Sequence, residues 1–357
     1  MTIKEFAERL GVSTATISRA FTPGASIRPE TRAHILEQAR TLGYAPNPSA
    51  RNLARRHNRL IGLDCPANAD VLADPFLVEL ARGVQAALEP EGYGLLLNTH
   101  PRPSSDLGLL HEWVYGHAVD GVVIVIPPDY ALETLCPFAN CDVPCVLIAQ
   151  AREAVDRVLP AVEIDLTEGA RAALMHLIRL GHREIGLLSS APSDGVRRIY
   201  QQMVREVLGA TNGPDPRLTV ETSSNIAAGR AAMHRLLAAP KRPTAVFCRT
   251  DLLALGALRA ARDMGLRVPE DLSIIGHDDL LLAELSDPPL TTVRIDTARI
   301  GQAATGMLLP TLLKTAPGDA TQSSPEPQSA AAIRSVTVGS ELIVRRSTAR
   351  CPSEIVL

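Results

Sequence analysis

The chain has 357 residues, 46% hydrophobic and 3% aromatic, which is enough apolar side chain for two or three buried cores and excludes a wholly disordered polymer. No run of about 18 uncharged apolar residues occurs, excluding a helical membrane span, and six cysteines without CxxC spacing point to free thiols rather than a disulfide framework or metal site. The formal net charge of −3 conceals a division: residues 1–60 carry ten Lys/Arg against four acids, +6, leaving −9 on the remainder. A small basic head on a large acidic body suits a polyanion partner.

From the N-terminus, IKEFAERL (Ile3–Leu10) places Ile3, Phe6, Ala7 and Leu10 on one helical face, with Thr2 as N-cap and Gly11 as the terminating turn. The charges in this segment also exclude a signal peptide and imply the cytoplasm. Ser13 caps a second segment, 14–21, whose Ile17 and Ala20 can turn inward. A third helix, 30–42, follows Pro29, with Ala33, Ile35, Leu36, Ala39 and Leu42 apolar and Gly43 closing it. Two short helices joined by a glycine-containing turn and braced by a third make a helix-turn-helix plan. The second helix exposes Thr14, Ala15, Thr16, Ser18 and Arg19, side chains suited to base edges and phosphates in a major groove; a merely solvated polar face would read the same way. Asn47 and Pro48 then open a short hinge helix whose one large apolar residue is Leu53. Two turns cannot stand alone in water, so this helix needs a second copy or DNA.

Beyond residue 60, apolar runs at 60–65, 94–98, 121–126, 145–148, 162–164, 185–188, 245–248 and 272–275 alternate with helical stretches such as 76–88, 166–180, 227–237 and 252–264. This alternation predicts doubly wound parallel sheets in two lobes, with crossovers near 151–160 and 288–294. Residues 314–335 are rich in Pro, Ser and Ala and read as a flexible linker. The expected division is a helix-turn-helix domain at 1–46, hinge helix and linker at 47–59, a first lobe at 60–161 plus 290–325, a second lobe at 162–289 plus 333–348, and a disordered tail at 349–357.

The segments GVSTATISRAF, IRPETRAHILEQARTLGYAPNPSARNLA and LIGL resemble the LacI/GalR repressor family, in the spacing of all three helices and the hinge. VDGVVI, LIRLGHREIGLL, DLLALGALRAARDMGLRVPEDLSIIGHDD and PPLTTVRID extend the resemblance through the body. It implies an all-α helix-turn-helix head with hinge helix, followed by an α/β two-lobed, doubly wound, periplasmic-binding-protein-like core. It further implies that Thr14, Ala15 and Arg19 face the bases, with Ser13, Thr16, Ser18 and Asn47 near the backbone. Paired hinge helices carrying Ala50 and Arg55 would enter the minor groove, where Leu53 from each subunit wedges into a base step. In the cleft, Phe76 resembles the family's ring-stacking position and Asp278, in Gly-His-Asp-Asp, its ligand-accepting carboxylate. Thr250 and Asp251 stand where the family shows Asn-Asp or Ser-Asp; Asp251 reads equally as a helix N-cap. The family's Arg-x-x-Gly-Phe aligns with 193–203 in two registers, so Arg197 and Arg198 share the role of ligand-clamping guanidinium, which would favour a carboxylate or phosphate. Ala149-Gln150 replaces an expected Asp or Arg pair, which weakens a simple sugar as effector.

The function these features imply is a homodimeric, sequence-specific transcriptional repressor reading a pseudo-palindrome of about 14–20 base pairs. A small effector, a sugar or related metabolite, would control it from the inter-lobe cleft, without cofactor or membrane partner; inducer and corepressor modes both remain open. A stand-alone receptor with a vestigial head is opposed by the hinge. An enzyme is opposed by the lack of a Ser/His/Asp elbow, HExxH, P-loop or GxGxxG in suitable context, and His182, in Leu-Gly-His-Arg, reads as a structural turn residue.

Overall fold

The computed structural model describes residues 1–357 apart from 23, 47–56, 66–73, 99–105, 127–129, 151–157, 190–194, 209–215, 240–241, 315–334 and 353–357. It separates into two compact units, Met1–Asn58 and Arg59–Leu357.

In the first unit, α1 (Ile3–Leu10) starts with a capping box, Thr2 Oγ1 accepting from Glu5 N and Glu5 Oε2 from Thr2 N (2.8 Å). It stops at Gly11, whose φ of 66° satisfies the last carbonyls in a conformation costly to other residues. Ser13 caps α2 (Thr14–Ala20), and Pro29 opens α3 (Pro29–Thr41). The core is Phe6, Ala7, Ile17, Ala20, Ile35, Ala39 and Tyr44, with the Phe6 and Tyr44 rings stacked at 4.2 Å. Ile3 and Ala33, expected inward, are exposed, while Tyr44 fills the gap beside Phe6. Arg32 on α3 donates to Thr22 O (2.9 Å) and Ala25 O (3.1 Å), fixing the loop between α2 and α3.

The second unit holds two six-stranded sheets. The first has the order β11 (Ser335–Val338), β5 (Ala161–Ile164), β4 (Cys145–Gln150), β3 (Gly121–Val125), β1 (Leu60–Asp64), β2 (Gly94–Leu97). The second runs β12 (Ser340–Ile343), β10 (Thr291–Ile295), β9 (Ser273–Asp278), β8 (Ala245–Cys248), β6 (Ile185–Ser189), β7 (Thr219–Glu221). Every pairing is parallel except β10 with β12. Central strands such as β3 and β8 are apolar along their length because helices cover both faces. On the first sheet, α4 (Pro75–Leu88) packs on α11 (Thr297–Lys314), and a Cβ at Gly83 would lie 2.6 Å from Ala298 O, so only glycine admits this approach. On the second, α8 (Ile226–Leu237) packs on α9 (Asp251–Asp263).

The chain passes between sheets at Asp165–Leu166, at Asp296 and at Gly339, which corrects the expected lobe boundaries. Residues 162–164 belong to the first sheet, and 291–295, read as a crossover, form an inner strand of the second. The sequence 335–338, assigned to the second lobe, closes the first sheet. The reason is that the sheet a short strand joins is set by its neighbours, not by its own pattern. The first and third crossings are stitched together: Asp165 N donates to Val338 O (2.9 Å) and Ser340 Oγ to Asp165 O (2.9 Å).

Residues 349–352, expected to be disordered, instead pack on the second lobe. Cys351 N donates to Leu180 O (2.8 Å) and Ala349 N to Ser273 Oγ (3.0 Å). The buried His182 organises this contact, its Nδ1 meeting Thr244 Oγ1 (2.9 Å) and its Nε2 meeting Ala349 O (3.0 Å) and Ser273 Oγ (3.1 Å). Because Ala349 O can only accept, the Nε2–H tautomer satisfies the ring. His182 is thus structural. The linker 315–334 lies outside the described residues, between α11 and β11.

Candidate functional site

Two regions carry candidate chemistry. On the head, Thr14, Ala15, Ser18 and Arg19 are exposed along α2, while Ile17 and Ala20 face the core, so one helix face is free to enter a groove. Ser13 is exposed and its hydroxyl takes Thr16 N (3.1 Å) and Thr16 Oγ1 (2.9 Å). These two side chains therefore brace the entry turn of α2 as well as standing beside its outer face. Asn47, Ala50, Leu53 and Arg55 lie outside the described residues.

In the body, a cavity of about 270 Å³ opens where the carboxyl ends of the two sheets meet, the position at which doubly wound folds bind ligands. The first sheet supplies an apolar wall that includes Phe76, Val125, Ile126, Ile148 and Ile164. Gln150 and Asp74 are its polar members; Asp74 caps α4 by accepting from Phe76 N (3.0 Å), and burial pushes its carboxyl upward. The second sheet contributes Ser224, Arg249, Thr250 and Asp278. Arg249 Nη1 stands 3.7 Å from Asp278 Oδ1 and 3.4 Å from Nδ1 of the buried His277, which in turn lies 3.1 Å from that carboxylate oxygen. With side chains 12% and 9% exposed, Arg249 and Asp278 offset one another's charge inside the cavity. Thr250 caps α9 by accepting from Leu253 N (3.3 Å), and its hydroxyl meets Ser224 Oγ (2.9 Å).

Asp278 and Asp279 have φ of 116° and 58°, a turn that costs of order 1–3 kcal/mol per residue and persists only where the surroundings enforce it. Here they do. Asp279 Oδ2 accepts from Arg294 Nε (2.7 Å) on β10, and Oδ1 from Arg345 Nη2 (2.7 Å) just after β12. Leu280 N is held by Asp251 Oδ2 (2.8 Å), whose other oxygen accepts from Thr292 Oγ1 (2.6 Å). Burial, then the Asp278 charge, push the Asp251 carboxyl well above its ordinary range.

Phe76, Thr250 and Asp278 of the expected ligand residues therefore line one cavity. Asp251 does not: it is buried behind the turn, and the cap of α9 is Thr250. Arg197 and Arg198, on α7 (Gly195–Leu208), are not among the lining residues. Helix α7 turns Val196 and Tyr200 into the core, which leaves Arg198 exposed and sets Arg197 in an ion pair with Glu221. The guanidinium in the cavity is Arg249, which sequence reasoning missed. Its available signal was position: it is the first residue beyond β8 at the carboxyl end of the sheet.

A two-lobed ligand-binding core joined to a helix-turn-helix head defines a DNA-binding transcriptional regulator. Residues 2–47 match the lacI family of bacterial regulatory proteins, and residues 174–348 match a periplasmic binding protein-like domain. The chain is 33% identical over 313 residues to the HTH-type transcriptional repressor CytR of Escherichia coli (strain K12), spanning 86% of this chain and 89% of the relative, and it belongs to the lacI family. It is 32% identical over 315 residues to the HTH-type transcriptional repressor PurR of Pectobacterium carotovorum subsp. carotovorum (strain PC1), with the same coverage. Among solved structures, a complex of the transcriptional regulator CelR with cellobiose matches with a TM-score of 0.63 at 28% identity, covering 97% of this chain and 99% of that one. The lac repressor dimer bound to operator and the anti-inducer ONPF shares the fold, with a TM-score of 0.78 at 24% identity over 98% and 99% of the two chains.

Proposed function

We propose that the chain is a homodimeric repressor whose grip on a pseudo-palindromic operator is set by a small neutral molecule in the inter-lobe cavity. The observation that carries this reading is the pairing of Arg249 with Asp278 in a cavity otherwise walled by Phe76 and aliphatic side chains. A charge-balanced donor–acceptor pair suits a ligand with hydroxyl, amine or carbonyl groups on one edge and an apolar or ring face on the other. A sugar or related ring metabolite fits that description. A phosphate or carboxylate fits poorly, because Asp278 would repel it where Arg249 attracts it. No step of covalent chemistry is assigned, in keeping with relatives that are repressors. The reading places the protein in the cytoplasm with its DNA; among the described residues no helix is long and apolar enough to cross a membrane.

For the dimer, Leu282 and Leu285 on α10 (Leu281–Leu285) are 44% and 70% exposed and line one surface with Ile226, Leu255 and Leu258, an apolar patch suited to a second copy. Two copies would also bring paired hinges to the DNA. The ligand can act only by preferring one arrangement of the lobes, which the three crossings at Asp165–Leu166, Asp296 and Gly339 allow to change.

The test combines thermal shift with fluorescence anisotropy on the duplex upstream of the gene, using neutral sugars, sugar acids, sugar phosphates, nucleosides and purines. A neutral compound should both raise the melting midpoint and change operator affinity. A sugar acid or phosphate as the tightest binder would overturn the ligand class, and turnover of any compound without DNA binding would overturn the regulator. Leu53→Ala should weaken operator binding while sparing salt-sensitive non-specific binding; equal loss of both would remove the wedge.

A further inference from the structure

Three of the six cysteines, Cys136, Cys141 and Cys145, fall within ten residues at the amino end of β4, opposite the end that lines the cavity. Cys141 Sγ donates to Val143 O at 2.9 Å and to Phe138 O at 3.0 Å, and Cys145 Sγ reaches the same Val143 oxygen at 3.5 Å. The two thiols thus share one carbonyl oxygen of the short loop Asp142-Val143-Pro144. That loop is pinned to the neighbouring strand, since Val122 N donates to Pro144 O (2.9 Å). Cys141 is half-buried and open to a small oxidant, whereas Cys145 is buried behind it.

We propose that Cys141 and Cys145 form a reversible redox dithiol, oxidised by a hydroperoxide to an intramolecular disulfide. Cys141 is the attacking sulfur. A hydrogen bond from the Cys145 thiol lowers Cys141 to about 7, against the opposing effects of burial and the neighbouring Asp142 carboxylate. The same bond and deep burial push the Cys145 thiol up, keeping it protonated until its partner is oxidised. An attacking thiol with a pKa near ambient pH is at its most effective, since the thiolate is abundant and still nucleophilic.

In the first step the Cys141 thiolate attacks the terminal oxygen of the hydroperoxide. A sulfur–oxygen bond forms, the oxygen–oxygen bond breaks, and the departing alkoxide or hydroxide takes a proton, leaving Cys141 as a sulfenic acid. In the second step Cys145 gives up its proton and its sulfur attacks Cys141. The sulfur–sulfur bond forms, the sulfur–oxygen bond breaks, and hydroxide leaves with that proton as water. Two thiols lose two electrons and the hydroperoxide gains them. The reverse step needs only an external dithiol.

The full-length protein, freed of reductant, is titrated with hydrogen peroxide and mapped by mass spectrometry. Expected are the loss of two thiols per chain, a mass lower by about 2 Da, and a Cys141–Cys145 link that dithiothreitol reverses. Cys136→Ser should form the same link, and Cys145→Ser should instead collect a sulfenic acid on Cys141 that dimedone traps. Alkylation of Cys141 by iodoacetamide should have its midpoint near pH 7 and run about threefold faster at pH 7 than an ordinary thiol, after allowing for its lower nucleophilicity. A link made through Cys136, oxidation confined to Cys136, or a Cys141 midpoint near 8.5 overturns the assignment. Should Cys145→Ser fail to fold, the wild-type map and alkylation profile decide the question unaided.

Discussion

The two walls of the cavity are built from equivalent strand ends yet have opposite chemistry. The first-lobe wall is Phe76 and aliphatic residues at the tips of β3, β4 and β5, tempered by Asp74 and Gln150. The second-lobe wall is the charged pair Arg249–Asp278 with Thr250 and Ser224. Their supports differ in the same way: Asp278 sits on a strained turn held by Arg294, Arg345 and Asp251, whereas Phe76 needs only its own helix cap. One wall therefore fixes ligand orientation and the other supplies burial. Because Arg294 lies two residues before the crossing at Asp296, the orienting wall is also the one tied directly to the hinge.

The comparison breaks most visibly at Asp278. Replacing it by Ala removes charged hydrogen bonds to the ligand and leaves Arg249 enclosed with less compensation, so the neutral ligand found by the screen should lose about 3 kcal/mol, roughly 150-fold. Calorimetric titration reads this directly, and a loss under about tenfold would mean that orientation comes from elsewhere. Phe76→Ala tests the other wall. It removes apolar and ring contact without stranding a charge, so the expected loss is about 1.5 kcal/mol, near tenfold. Equal penalties from the two variants would erase the proposed division of labour.

The lobes also differ in how they should respond to acid. The second lobe buries His182 in a cluster with Thr244, Ser273 and Ala349, while the first lobe buries the pair Asp64–Asn98 (3.2 Å). Burial lowers the imidazole's affinity for protons below its ordinary value. A base with a depressed folded pKa contributes stability that is complete above its unfolded value near 6.5 and is lost as pH falls through the folded one. Melting followed from pH 7.5 to 5 should therefore show the second lobe weakening, and His182→Gln should lower the midpoint at pH 7.5 while flattening the slope. An unchanged slope in that variant would move the acid sensitivity to another group.

What the sequence discloses follows the range of the interactions. The head was legible because its signals act within four residues: Thr2 with Glu5, Ser13 with Thr16, Gly11 closing α1. Sheet alternation in the body was equally local, and Phe76, Thr250 and Asp278 came from the motif resemblance, which carries positions that local patterning does not. Asp251 could not be read, since Thr292 and Leu280, 41 and 29 residues away, take up its oxygens. Arg249 acquires its role only when β8 lies beside β9. β10 reads as a crossover in the sequence because a short stretch after two prolines becomes a strand only between its neighbours β9 and β12.

The finest test of the comparison is an expected near-silence. The motif resemblance implies a ligand-clamping guanidinium at Arg197 or Arg198, whereas the arginine that lines the cavity is Arg249. Arg198 is exposed on α7, so Arg198→Ala should change ligand affinity by less than about twofold, within the range of surface substitutions. Arg197 is held by Glu221, and Arg197→Ala should act, if at all, through the stability of α7 against β7, because a partly exposed ion pair contributes about 0–1 kcal/mol. Arg249→Ala, by contrast, leaves the enclosed Asp278 carboxylate without its guanidinium and should approach the penalty of Asp278→Ala itself. Measured together by the same titration, the three arginine variants rank the candidate clamps. A large loss at Arg197 with little at Arg249 would return the orienting role to α7 and leave the Arg249–Asp278 pair a support for the strand ends.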